Sequence, residues 1–115
     1  MAKVEIISSL STEVQKKFKG ESVEIFKFMR ILEESPHKGK LVGQVGGVVI
    51  KELKYKSFRF YFITDGHRLK VIDESSLVDL LIKFVRMSDK KDQQKTINEI
   101  RKILTYFGPE GFSKK

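Results

Sequence analysis

The chain has no cysteine. Disulfides and thiolate metal sites are therefore excluded, and a reducing interior is compatible with the composition. Long apolar runs are missing too: nothing approaches the ~18 residues that a membrane span needs. MAKVEIISSLSTEV lacks the basic-then-apolar order of a signal peptide, so the expected location is cytoplasmic. No His/Asp/Glu cluster stands at ligand spacing, and neither a metal nor a small-molecule cofactor is expected. His37 falls in a loop and His67 beside a turn, and neither has a partner for catalysis. Internal repeats and low-complexity tracts are absent. One further scarcity is local: residues 36–72 hold two acidic residues against eight Lys/Arg.

That scarcity decides where the charge lies. Of the net +8, residues 1–35 carry zero, 36–72 carry +6 and 73–115 carry +2. Cationic charge focused on one third of a chain points to an anionic partner, most commonly RNA or DNA; on composition alone a solvated lysine-rich surface is an equal alternative. At 115 residues the chain is one domain with one modest core. The expected bounds are 1–108, with 109–115 as a frayed tail.

Hydrophobic periodicity orders the elements. Val4–Ile7 is a short β-branched strand. A helix follows, with Thr12 and Gln15 at capping-box spacing and Val14 and Phe18 as its apolar positions. Gly20 breaks it, and a second helix carries a wide stripe (Val23, Ile25, Phe26, Phe28, Met29, Ile31, Leu32) that demands a broad flat partner. Pro36 ends this hairpin. SPHKGKLVGQVGG, 35–47, reads as a loop. Val48–Lys56 reads as a strand. KSFRFYFITDGHRLKVID, 56–73, reads as two more strands joined at Asp65-Gly66, a dipeptide suited to the positive φ of a hairpin turn. The nearly continuous apolar run 77–87 is a central strand. Ser88 is placed to cap a last helix with Ile97, Ile100, Ile103, Leu104 and Phe107 at helical spacing, stopped by Gly108-Pro109.

Strand alternation sorts the 58–64 strand into two faces. Phe58, Phe60 and Phe62 share one face and read as core; Arg59, Tyr61 and Ile63 share the other. A two-residue turn at Asp65-Gly66 sets Ile63 opposite Arg68, Tyr61 opposite Lys70 and Arg59 opposite Ile72. The expectation is an α+β domain: a twisted antiparallel sheet with a helical hairpin packed on its greasy face, a C-terminal helix, and a basic face left open.

KLVG (40–43), KELK (51–54) and the arginine-bearing strand FRFYF (58–62) resemble the RelE/ParE toxin superfamily, over roughly residues 3–105. KFVRMSDKKDQQKTINEI (83–100) is more similar to the HigB branch, and KELK to that branch's Glu-Leu-Arg element with Lys54 in place of its arginine. The resemblance implies the toxin of a type II toxin–antitoxin pair. Such a toxin is a metal-independent mRNA endoribonuclease acting at the ribosome by attack of a ribose 2′-OH on the adjacent phosphate. It implies Arg59 as the stabiliser of the phosphorane, Lys54 and Lys51 as phosphate binders or base, and Arg86 as a further phosphate contact or acid. Lys38, Lys40, Lys56, Tyr61, Arg68, Lys70, Lys90 and Lys91 are the candidate RNA contacts. Lys54 and Lys51 are as common as surface lysines, and each role stays open on spacing alone. The tyrosine that many relatives carry near the C-terminus has no match, since Tyr106 falls late in a helix. Implied partners are mRNA on the ribosome and an acidic antitoxin segment. The alternative is a non-catalytic binding or regulatory module on the same fold.

Overall fold

The computed structural model describes residues 3–64 and 81–112. The elements run β1 (Lys3–Ile6), α1 (Ser8–Phe18), α2 (Ser22–Arg30), β2 (Lys40–Val45), β3 (Val48–Tyr55), β4 (Phe58–Thr64), β5 (Leu81–Asp89) and α3 (Gln93–Phe107). Five strands form one sheet in the order β1-β5-β4-β3-β2. The α+β expectation holds, but the sheet is mixed. β1 pairs in parallel with β5, and the other pairings are antiparallel. The parallel pair follows from the chain path: α1 and α2 are spent carrying the chain away from β1, and only the last strand returns beside it. β5 lies between β1 and β4, as its apolar run requires.

The helical run starts at Ser8, four residues before the expected cap, because the Ile7 N–H bonds the Phe84 carbonyl and the next residues turn at once. Thr12 thus sits inside α1 and caps nothing. The break falls where Lys19 takes φ 51°, just before Gly20. Phe18 at the far end of α1 meets Phe58 edge-on at 5.1 Å. Arg30 at the end of α2 reaches back to the Val4 carbonyl at 3.3 Å. The two helices therefore go out and return over one face of the sheet. Leu10, Val14, Ile25, Met29 and Leu32 are buried there, while Val23 and Ile31 at the stripe's margins are exposed.

Two junctions are tighter than expected. KLVGQV is the edge strand β2 rather than loop, and Gly46-Gly47 joins it to β3, with Gly46 at φ 59°. β3 and β4 are joined at Lys56-Ser57, where Lys56 takes φ 55°. β4 has β3 on one edge and β5 on the other, so Arg59 faces Lys54 and Ser88, not Ile72. Asp65-Gly66 itself lies outside the described residues.

The expected open face is covered. Gln93 on α3 donates to Glu52 on β3, and the Arg101 guanidinium on α3 lies close against Gly43 on β2. By register Gly43, Ile50, Ile63, Glu52 and Tyr61 all belong to the face opposite the helical hairpin. Helices therefore pack on both faces. Apolar Ile50 and Ile63 need that cover, and α3 supplies it with Ile97, Ile100 and Leu104. Ser88 belongs to β5 rather than capping α3, which starts after Asp92. Gly108, at φ 71°, ends α3 as expected. Pro109–Phe112 then forms a turn that buries Phe112, so the tail does not fray from 109. Among the described residues no helix is long and apolar enough to cross a membrane.

Candidate functional site

Alternation and register together build one polar cluster beside the N-terminal end of α3. Arg59 is the second residue of β4, the middle strand of the sheet, with Lys54 of β3 and Ser88 of β5 as its register partners. Two residues along, Tyr61 lies between Glu52 and Arg86. Lys40 on β2 is the outer partner of Glu52 and shares its face.

Arg59 is 9% exposed, and its Nε has no hydrogen-bond partner. No carboxylate lies within ion-pair distance of it among the described residues. A guanidinium removed from water without a counter-charge costs several kcal/mol in order of magnitude, unless an anion supplies the missing contacts. Its direct neighbour across the ladder is another cation, Lys54, which is exposed. Like charges set opposite on a sheet repel. An anion between them would turn that repulsion into attraction.

Tyr61 is fully buried, and its hydroxyl lies 2.8 Å from Ser88 Oγ. Ser88 gives its single proton to the Asp89 carbonyl at 3.0 Å, so Tyr61 is the donor to Ser88. Burial raises the phenol above its usual pKa. Tyr61 thus fixes the β4–β5 ladder beside Arg59; it is not the surface contact expected of it.

Arg86 stays half-buried. Its Nη1 donates to the Val85 carbonyl at 2.8 Å, its Nε lies 3.5 Å from Glu99 of α3, and its guanidinium covers the Phe112 ring at 5.3 Å. Lys90 and Lys91 are exposed in the turn after Asp89, the register partner of Phe58, and so lie at the same end of the sheet as Arg59.

The remaining expectations separate from this cluster. Lys51 and Lys54 differ by an odd number on one strand, so they occupy opposite faces. Lys51 is the register partner of Phe62, on the helical-hairpin face, and its ammonium donates to the His37 carbonyl at 3.1 Å. Burial there pushes its pKa down, but it cannot serve a reaction at Arg59. Lys56 binds Glu21 at 2.7 Å, in the junction between α1 and α2, and is a structural pin. Lys38 is exposed just before β2. Arg68 and Lys70 lie outside the described residues.

Glu52 was missed. It is 7% exposed, and the Gln93 amide donates to its Oε1 at 3.3 Å. The signal was present in KELK: alternation puts Glu52, not Lys51, on the face of Lys54 and Arg59. The cluster therefore holds a buried carboxylate diagonal to a buried guanidinium, rimmed by Lys40, Lys54, Lys90, Lys91 and Arg86. Among the described residues no group of three His, Asp or Glu side chains could hold a metal. Chemically, the arrangement can bind a phosphodiester by charge and can accept a proton beside it. No family model, curated protein or solved structure matches the chain.

Proposed function

We propose that the chain is a RelE-like, ribosome-dependent mRNA endoribonuclease, the toxin of a type II toxin–antitoxin pair. The observation that carries this reading is Arg59, a buried guanidinium with an unpartnered Nε beside an exposed lysine. Such a group is prepared for a phosphate, and the likeness of its strand to the toxin family says which kind.

In the proposed reaction the 2′-oxygen attacks the adjacent phosphorus and the bond to the 5′-oxygen breaks. Glu52 takes the 2′-proton, Arg59 and Lys54 hold the charge that gathers on the phosphorane, and the Lys54 ammonium gives a proton to the leaving 5′-oxygen. Arg86, Lys40, Lys90 and Lys91 contact flanking phosphates. An acidic antitoxin segment would neutralise the same cationic end. The chemistry is assigned to side chains alone.

One observation favours a second reading, a non-catalytic binding module. Glu52 and Arg59 are each under 10% exposed, and Tyr61 is committed to Ser88. The test is to induce the protein, follow growth, map mRNA 5′ ends, and measure RNA binding in parallel for Glu52→Gln and Arg59→Met. The nuclease reading expects codon-phased cuts, lost in both variants, with RNA binding kept by Glu52→Gln. Binding without cuts from folded, well-expressed wild type would establish the second reading. Neither binding nor cuts would overturn both.

A further inference from the structure

Arg86 and Arg59 lie diagonally on one face, two residues apart in register along adjacent strands, yet they are treated oppositely. Among the described residues Arg59 has no carboxylate within ion-pair distance; Arg86 has Glu99. The carboxylate comes from α3, and Phe112, just beyond α3, stacks under the same guanidinium. Both contacts thus come from the C-terminal segment, and both draw Arg86 toward α3. Arg86 is held by Val85, Glu99 and Phe112. At 3.5 Å, with Glu99 mostly exposed, the pair is of the kind that solvent and competing anions weaken readily.

Resting on the function proposed above, we infer that Glu99 is a built-in competitor for the substrate phosphate. It holds Arg86 in the free protein and surrenders it to RNA. Binding then exchanges one carboxylate for one phosphate at Arg86, so the free protein is held below its full affinity for RNA. Phe112 keeps the guanidinium plane in place during the exchange, since stacking on a ring leaves the edge N–H groups available. α3 is in this way a regulator of the site as well as a cover for Ile50 and Ile63. A ligand that pulled Glu99 away would sharpen RNA binding, and one that tightened the Glu99–Arg86 pair would weaken it.

The experiment is a binding cycle with a single-stranded RNA carrying 2′-O-methyl groups, which binds but offers no 2′-OH nucleophile. Wild type, Glu99→Gln, Arg86→Ala and the double variant are compared at fixed salt, with thermal melting as the folding control. Glu99→Gln should bind about threefold to fivefold tighter, the range an exposed ion pair supports. That gain should vanish in the Arg86→Ala background. An equal gain in both backgrounds would make Glu99 a general charge effect and overturn the inference. Unchanged or weaker binding by Glu99→Gln, with wild type binding normally, would overturn it while leaving the proposed function intact. Binding by Glu99→Gln alone would support it strongly. If neither protein binds RNA, the inference falls together with the functional reading.

Discussion

The two faces of β4 are made from alternate residues of one seven-residue strand, and they do different jobs. On one face Phe58 and Phe60 pack against Phe18, and Tyr55 meets Phe28 and Phe60. On the other, Arg59 and Tyr61 sit among Lys54, Glu52, Ser88 and Arg86. Both faces are buried. The first is closed by apolar contact; the second keeps a guanidinium nitrogen without a partner. Alternation lets adjacent residues separate stability from function, so the comparison can be broken one residue at a time.

The largest effect should come from Phe60→Ala. Removing a fully buried phenyl ring between Phe18 and Tyr55 should cost about 3–5 kcal/mol. Chemical denaturation would read this as a large loss, or as failure to fold. Arg59→Met, one residue away, should leave stability unchanged or raised, because an apolar replacement relieves the unpaired charge. Cleavage should fall by about a hundredfold or more, the order seen when a charge-stabilising group is lost. If Arg59→Met unfolds the protein as Phe60→Ala does, Arg59 is a core residue and the contrast collapses.

A smaller contrast uses the two lysines of KELK. Lys54→Met should weaken RNA binding severalfold without lowering the melting temperature. Lys51→Met should leave RNA binding alone. Burial holds the Lys51 ammonium below its ordinary pKa, so the unfolded chain keeps that proton more tightly than the folded one. The cost is present in full below the folded-state pKa and fades as pH rises toward the ordinary lysine value. Lys51→Met should therefore be at least as stable as wild type at neutral pH and lose that margin at alkaline pH. A drop in RNA binding equal to that of Lys54→Met would mean that both faces meet RNA.

These contrasts also mark what could be read in the chain beforehand. The parity of Phe58, Arg59, Phe60, Tyr61, Phe62 and Ile63 was legible because a strand has period two, and the core stripe of α3 because a helix has period 3.6. The β3–β4 turn was not legible: Lys56 holds a positive φ that sequence would assign to Gly or Asn, while the conspicuous Asp-Gly drew the pairing elsewhere. The side on which α3 packs was open too, since a short turn after β5 allows either face. Ile63 was the clue, an apolar residue on a face presumed wet. Glu52 needed only the alternation already applied to β4. The Arg86–Glu99 pair joins β5 to α3 and depends on tertiary geometry that no local pattern carries.

The smallest effect tests whether the cluster's boundary is where the geometry puts it. Glu21 Oε2 accepts from Tyr55 at 2.6 Å and Lys56 at 2.7 Å, tying the α1–α2 junction to the β3–β4 turn. Lys56 foremost, and then Tyr55, holds the Glu21 carboxyl below its ordinary pKa. A depressed carboxyl stabilises the fold at pH above the unfolded value, ~4.3, and loses that contribution as pH falls through the folded value. Glu21→Gln should therefore melt slightly below wild type at pH 7, with the gap closing as the pH drops below about 4. RNA affinity should stay within about twofold of wild type, the scale of one exposed charge. Lys56 was a candidate RNA contact by sequence, and Glu21→Gln releases it. If RNA binding then tightens severalfold, and Lys56→Met reverses the gain, the cationic site extends round the turn and Lys56 belongs to it. If affinity holds, the site ends at Lys54 and Arg59, and the turn serves the fold alone.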